Sequence, residues 1–170
     1  MKAIFLDRDG VVNKEKDYLY KLEDFEFIDD VFDVLKFFQS KGYLIFIITN
    51  QSGINRGFYS IEDYTKLTDW MLKKFKQQSI IISKVYFCPH RPDEQCKCRK
   101  PKPQMILEAK KEFDLDLKNS LLVGDKNSDI EAGKNAGITN LFLVATGHNI
   151  NENKFNAKVI NNLMELEQYI

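Results

Sequence analysis

The stretch Ala3-Ile4-Phe5-Leu6-Asp7-Arg8-Asp9-Gly10 decides the fold. Apolar residues run without polar alternation into a carboxylate, the pattern of a short strand covered on both faces. Gly10 lets the chain turn at once. The same pattern recurs downstream. Leu44 to Ile48 runs into Thr49-Asn50-Gln51-Ser52-Gly53, and Leu121 to Val123 runs into Gly124-Asp125. Weaker apolar runs at Val85 to Phe87, Leu141 to Val144 and Val159-Ile160 complete the expected strands.

Helical spacing fills the intervals. Val31, Val34, Leu35 and Phe38 share one face, with Gly42 as a stop. Ser60 with Asp63 makes a loose capping box ahead of Tyr64, Leu67 and Met71. Pro103 opens a helix through Ile106, Leu107 and Phe113, and Ser128 to Ala136 forms another, closed by Gly137. Leu163, Leu166 and Ile170 suggest a last helix. Alternation without repeat or linker predicts a single α/β domain over residues 1–170, a parallel sheet flanked by helices. Ligands of such sheets bind beyond the carboxyl ends of the strands. Asp7, Thr49 and Asp125 are therefore expected to converge.

The 170 residues can bury one real core, and a 44% apolar share with 13 phenylalanines supplies the material. Lys plus Arg and Asp plus Glu number 25 each, so formal net charge is zero and no basic stripe advertises a nucleic-acid partner. The apolar part of MKAIFLDRDG is too short for a secretory signal. The longest apolar run, around Leu44 to Ile48, is too short to cross a bilayer. These features predict a cytoplasmic protein with neither membrane nor nucleic acid as partner. The lack of an exposed apolar stripe predicts a monomer.

Asp7 and Asp9 stand one residue apart after the first strand, and Asp125 and Asp129 follow the fourth. Carboxylates gathered in one crevice repel: two unit charges about 4 Å apart cost about 4 kcal/mol at an effective dielectric of about 20. A divalent cation removes that cost, and an all-oxygen donor set suits magnesium better than zinc or copper. Magnesium in turn suits a phosphate substrate. A carboxylate can also attack phosphorus to give an aspartyl-phosphate, with a second carboxylate as acid to the leaving oxygen and base for water. The transferring group needs positive charge and donors around its oxygens. Thr49 offers a hydroxyl, Asn50 an amide and Lys100 an ammonium. A lone Asp-x-Asp-Gly is more often an ordinary turn. The Thr49 string and Gly124-Asp125 at the next strand ends argue against that here.

All three cysteines, Cys88, Cys96 and Cys98, fall in one short loop with His90, one of two histidines. Three cysteines and a histidine make a closed tetrahedral zinc set, whose work is structural. A redox pair of Cys96 and Cys98 is the alternative, strained by its spacing. Arg99, Lys100 and Pro101 follow directly, so zinc in the 88–98 loop would stiffen the segment that aims these cations. A zinc-stabilised binding module without catalysis is the competing function class. It leaves the strand-end carboxylates unexplained.

Asp7-Arg8-Asp9-Gly10, Thr49-Asn50-Gln51-Ser52-Gly53, Cys98-Arg99-Lys100-Pro101 and Gly124-Asp125-Lys126-Asn127-Ser128-Asp129 together resemble the haloacid dehalogenase-type phosphatases. The motifs span nearly the whole chain in the family's order. The resemblance implies a Rossmann-like parallel sheet, Asp7 as nucleophile, Asp9 as acid and base, and Thr49 and Lys100 holding the phosphoryl group. It implies magnesium on Asp7, Asp125 and the main-chain carbonyl of Asp9, with Asp129 in a weaker supporting position. No large insertion follows either early motif, so no large cap domain is expected. The site is expected to be open, shielded by the zinc loop, Lys14 to Leu22 and Gly53 to Tyr59.

Two zinc-loop subfamilies share Cys-Pro-His and Cys-x-Cys-Arg-Lys-Pro: histidinol-phosphate phosphatases and D-glycero-D-manno-heptose 1,7-bisphosphate phosphatases. The chain looks more like the second in TNQSGINRG (residues 49–57), in Tyr64, Leu67, Thr68, Trp70 and Met71, in Tyr18 ahead of Phe25 to Asp29, and in Lys126. That likeness implies removal of the C7 phosphate, leaving heptose 1-phosphate for lipopolysaccharide core synthesis. Histidinol phosphate is the alternative substrate. Substrate contacts would fall on Arg8, Glu15, Lys16, Asp17, Tyr18, Asn50, Gln51, Ser52, Arg99 and Lys126, with the Arg99 fork on the distal phosphate. Two features depart from the heptose pattern. The zinc loop is short, and Glu15-Lys16-Asp17 stands where a small, glycine-bearing approach to Tyr18 is usual.

Other residues read as structural. His148 and the run Lys73, Lys74 and Lys76 read as solvated, and Phe37, Phe38, Trp70 and Met71 as core. Arg56 is open between bracing its loop and touching sugar hydroxyls.

Overall fold

The computed structural model describes residues 1–145 and 154–170. The apolar runs become strands β1 (Ala3–Leu6), β2 (Leu44–Asn50), β3 (Ile82–Cys88), β4 (Leu121–Gly124), β5 (Asn140–Val144) and β6 (Lys158–Ile160). All pair in parallel, in the order β3-β2-β1-β4-β5-β6. The chain first winds outward from β1 to β3, then crosses back to β4 and winds the other way. β1 and β4 therefore flank the switch point where doubly wound sheets open a crevice. These are the strands that end at Asp7 and Asp125.

Helices α1 (Val31–Ser40), α2 (Ile61–Gln77), α3 (Gln104–Phe113) and α4 (Asn127–Ala136) cover both faces. Side chains alternate along a strand, and the two cores follow that alternation. Ile4, Leu6, Ile45, Ile47, Leu121 and Val123 pack with Val34, Phe38 and Leu67 of α1 and α2. Ala3, Phe5, Phe46, Ile48 and Leu122 pack with Ile106, Ala109 and Ile130 of α3 and α4. Burial on both sides is why β1, β2 and β4 read as unbroken apolar runs. β3 is an edge strand, carries Ser83 and Lys84, and so showed only its last residues in the sequence pattern.

Helix ends are set locally. Ser60 Oγ accepts from Asp63 N and Asp63 Oδ2 accepts from Ser60 N, each at 3.0 Å, completing the capping box. Gly137 ends α4. The expected C-terminal α-helix is instead a 3-10 segment, Leu163–Tyr169. Its contacts explain the difference. Leu163 and Leu166 are buried and the Tyr169 ring lies 5.0 Å from Phe142, a spacing of three that suits three residues per turn. Only short 3-10 segments, Leu22–Asp24 and Pro92–Glu94, interrupt the connections from β1 to α1 and from β3 to α3, so neither carries a cap. Among the described residues no helix is long and apolar enough to cross a membrane. Met71 and Phe38 are buried and Trp70 packs on the core, as expected; His148 lies outside the described residues.

Phe46 is fully buried, stacks on Phe5 at 5.3 Å and meets Phe113 edge-on at 4.9 Å. Phe46→Ala is expected to destabilise the fold by about 3–5 kcal/mol. Urea unfolding checks this; a loss below about 1 kcal/mol would mean that this face repacks around the gap.

Candidate active site

β1 delivers Asp7 to the floor of a cleft. Its backbone N–H donates to Val123 O at 3.0 Å, locking the ends of β1 and β4 together. Gly10 turns at φ +91°, and a Cβ there would lie 2.3 Å from Asp125 Oδ2. Only glycine admits a carboxylate this close to the turn. Asp7, Asp125 and Asp129 consequently gather, all buried, with one oxygen from each within 4.8 Å of the others. Burial first, then repulsion from Asp7 and Asp129, pushes Asp125 up to about 9. Burial and Asp129 raise Asp7 to about 6, against the pull of Lys100. Oxygens that resist ionisation for these reasons are relieved by a cation, and the donor set fits magnesium.

Lys100 reaches the same floor from the far side of the chain. Its Nζ donates to Asp7 Oδ1 at 2.7 Å and Ile48 O at 2.9 Å, and lies 2.7 Å from Asp129 Oδ1. Burial opposes the ammonium, but Asp129 and Asp7 outweigh it and push its pKa up. Asn50 clasps the backbone of Lys100: Lys100 N donates to Asn50 Oδ1 at 3.1 Å, and Asn50 Nδ2 donates to Lys100 O at 3.2 Å. Asp129, expected in a supporting position, does two jobs. One oxygen holds Lys100, and the other accepts from Asp125 N at 3.2 Å and Lys126 N at 3.1 Å, fixing the turn into α4.

Asp9 faces the cleft with its carboxylate held by donors. Oδ1 accepts from Arg8 Nη2 and Asn13 Nδ2, and Oδ2 from Arg8 Nη2 and Gln51 Nε2, each at 3.0 Å. Thr49 Oγ1 accepts from Gln51 Nε2 at 2.9 Å. Arg8 corrects a sequence expectation. It is 1% exposed, and its guanidinium donates through Nε and Nη2 to Asp9 and through Nη2 to Leu19 O at 3.3 Å. Arg8 lies in the turn after β1 and is absent from the cleft lining, so it packs behind Asp9 rather than on the cleft wall.

The cleft encloses about 260 Å³. Its walls carry Glu15, Lys16, Asp17 and Tyr18 after β1, Asn50, Gln51 and Ser52 after β2, Arg99 from the cysteine loop, and Lys126 after β4. These are the remaining residues expected at the substrate, and the fold brings them all to one opening. Lys126 Nζ bonds Glu15 Oε1 at 2.9 Å across the rim, and Arg99 Nη1 donates to His90 O at 3.3 Å. Arg56 braces its own loop through Ser52 Oγ at 3.3 Å. Tyr59, which also lines the cleft, was not among the expected contacts. No local signal marks it, because its relation to the site is made by a loop folding back.

Cys88 ends β3, and the loop after it brings His90, Cys96 and Cys98 alongside. Cys88 Sγ lies 3.4 Å from His90 Nδ1 and 3.6 Å from Cys96 Sγ, and His90 Nδ1 lies 3.3 Å from Cys98 Sγ. Bonds of about 2.0–2.3 Å to a tetrahedral zinc need neighbouring donors about 3.3–3.8 Å apart. These three pairs meet that spacing, while Cys98 Sγ stands closer to Cys88 Sγ, at 2.8 Å, so the donor types fit zinc and that one pair would part to admit it. All three thiols are free, with no Cys96–Cys98 bond. The loop is stitched to the cleft wall by Gln51 N to Cys88 O at 2.7 Å and Asn55 Nδ2 to Glu94 Oε1 at 3.0 Å.

The chain is similar to known proteins in sequence and in fold. Residues 97–166 match a family model described as HAD-hyrolase-like. The chain is 57% identical over 143 residues to a D-glycero-alpha-D-manno-heptose-1,7-bisphosphate 7-phosphatase of Campylobacter jejuni, covering 84% of this chain and 82% of the relative. It is 48% identical over 144 residues to a D-glycero-beta-D-manno-heptose-1,7-bisphosphate 7-phosphatase of Helicobacter pylori, covering 84% and 83%. The crystal structure of a D,D-heptose 1,7-bisphosphate phosphatase from B. bronchiseptica, complexed with magnesium and phosphate, superposes with a TM-score of 0.87 at 30% identity, covering all of both chains. At this identity and coverage, the chain belongs to the D-glycero-D-manno-heptose-1,7-bisphosphate 7-phosphatase family of haloacid dehalogenase-like hydrolases.

Proposed function

We propose that this chain is a magnesium-dependent phosphatase that removes the C7 phosphate of D-glycero-D-manno-heptose 1,7-bisphosphate and leaves heptose 1-phosphate. The distribution of positive charge carries the reading. Lys100 is buried against Asp7 at the cleft floor, while Arg99 and Lys126 stand on its walls. A floor that receives one phosphoryl group, with further cations for a second, fits a small sugar bearing two phosphates. Family membership supports the same substrate, and the relatives' names place the cleavage at position 7.

In the first step an oxygen of Asp7 attacks phosphorus. The bond to O7 of the sugar breaks as Asp9 gives that oxygen a proton, and the phosphoryl group remains on Asp7 as an aspartyl-phosphate. Asp9, now a carboxylate, takes a proton from water, whose oxygen attacks phosphorus. Phosphate leaves and Asp7 regains its carboxylate. The Lys100 ammonium and Thr49 hydroxyl hold phosphoryl oxygens through both steps. Magnesium on Asp7, Asp125 and the main-chain carbonyl of Asp9 would neutralise charge on the transferring group.

Zinc on Cys88, His90, Cys96 and Cys98 would fix the 88–98 loop and, through the His90 carbonyl, hold Arg99 toward the distal phosphate. The reading describes one catalytic domain, a cytoplasmic monomer acting on a small molecule, whose product would supply heptose for lipopolysaccharide core.

Phosphate release in magnesium is expected to be fastest from heptose 1,7-bisphosphate when both anomers are compared with histidinol phosphate at equal concentration. A preference for histidinol phosphate would overturn the substrate while leaving the chemistry. Asp7→Asn should abolish turnover with fold and zinc content unchanged, and near wild-type activity in that variant would sink the nucleophile assignment. Metal analysis should find about one zinc per chain, with activity returning to dialysed protein only when magnesium is added. Zinc-free protein that folds and turns over normally would remove the structural role given to the cysteine loop.

A further inference from the structure

Gln51 was expected among the substrate contacts, but both ends of its amide are already committed within the protein. The residue is 3% exposed. Its Nε2 lies 3.0 Å from Asp9 Oδ2 and 2.9 Å from Thr49 Oγ1, and its Oε1 accepts from the Tyr59 hydroxyl at 2.5 Å. The orientation of this amide follows from its partners. The amide nitrogen faces Asp9 and Thr49 and the amide oxygen faces Tyr59, the orientation that an ionised Asp9, which only accepts, requires. Tyr59 must then be the donor. Burial pushes its pKa up to about 12, which keeps that proton in place.

The geometry points to Gln51 as a positioning residue that aims both the acid–base carboxylate of Asp9 and the hydroxyl of Thr49, with Tyr59 locking its amide. This rests on the roles proposed above for Asp9 and Thr49. One N–H holds Oδ2 of Asp9, beside the bonds from Arg8 and Asn13 to the same group, so the carboxyl that passes a proton to the leaving oxygen is kept in one rotamer. The other N–H fills a lone pair of Thr49 Oγ1. A hydroxyl carries a single proton, and that proton, not spent on Gln51, is left for a phosphoryl oxygen.

The lock is itself held by two neighbours. A Cβ at Gly53 would come within 2.2 Å of Tyr59 Cε1, so the Tyr59 ring can lie directly on that backbone. Tyr20 stacks on the same ring at 5.4 Å and 14°. A buried amide needs partners wherever it lies. Here its two donors go to the two side chains on which the proposed chemistry depends. A substrate-contacting glutamine would leave one end of its amide open to the cleft.

The test reads leaving-group dependence, which a purely structural role would not move. An alkyl phosphate needs protonation of its leaving oxygen, whereas the nitrophenolate of p-nitrophenyl phosphate departs without it. Gln51→Met keeps the volume and removes both donors. It is expected to lower kcat/KM on heptose 1,7-bisphosphate on the order of a hundredfold, and on p-nitrophenyl phosphate by less than about tenfold. Gln51→Glu retains the Tyr59 bond while setting a carboxylate against Asp9, and the same unequal loss is expected. That second variant keeps the question answerable if the first folds poorly. Tyr59→Phe should give a smaller loss with the same preference. Equal losses on the two esters, or no loss in either Gln51 variant, would overturn the assignment. Failure of the wild-type chain on heptose bisphosphate would instead overturn the substrate reading, and the leaving-group comparison on another alkyl phosphate would still judge Gln51.

Discussion

Lys100 is an ammonium with almost no access to water, set between the buried carboxylates of Asp7 and Asp129 at 2.7 Å from each. Withdrawing these charges from water costs several kcal/mol per ion, recovered only when geometry and hydrogen bonds are good. The surrounding structure meets that condition from several separate segments. β1 presents Asp7, α4 presents Asp129 from its first turn, and Ile48 at the end of β2 turns a carbonyl to the same nitrogen. Asn50 clasps the Lys100 backbone on both its N–H and C=O. Loss of any one partner would leave an uncompensated charge in a buried site, so the strand ends are tied to one another through this cation.

The sheet makes such convergence possible. Parallel strands place all their carboxyl ends on one edge, and the change of winding direction between β1 and β4 leaves a gap there. Each loop that follows a strand end therefore adds one wall. The segment after β1 brings Tyr18 and Glu15, the loop after β2 brings Gln51 and Tyr59, and the loop after β3 brings Arg99. The helices are spent on covering the two faces and leave that edge open to a small substrate.

Donor chemistry divides the two metal-capable clusters. The thiols and imidazole are soft ligands in a closed fourfold set with no position for a substrate, so an ion there can only brace the loop. The oxygens of Asp7, Asp125 and Asp129 are hard donors on the cleft floor, and burial, with repulsion between neighbouring carboxylates, raises the pKa of Asp7 and of Asp125. Between the clusters runs Cys98-Arg99-Lys100, which joins the cysteine loop directly to the cations of the cleft.

Residue type and local period alone specify the strands, the order of the reactive residues and the chemistry of the donors. These depend on local period and residue type: continuous apolar runs for β1, β2 and β4, a polar residue at each strand end, and four soft ligands within one loop. β3 was legible only in part, because an edge strand is not buried on both faces. What the tertiary structure alone decided is which lone pair meets which proton. Arg8, expected as a substrate contact, is turned onto Asp9 by the tight turn after β1. Asp129 became the partner of Lys100, Gln51 became a bridge held by Tyr59, and the last turn of the chain tightened where Leu163 and Leu166, three apart, are buried. Such pairings join groups as far apart as Asp7 and Lys100, separated by 93 positions. No local pattern encodes them, because they exist only once the sheet has brought its strand ends together.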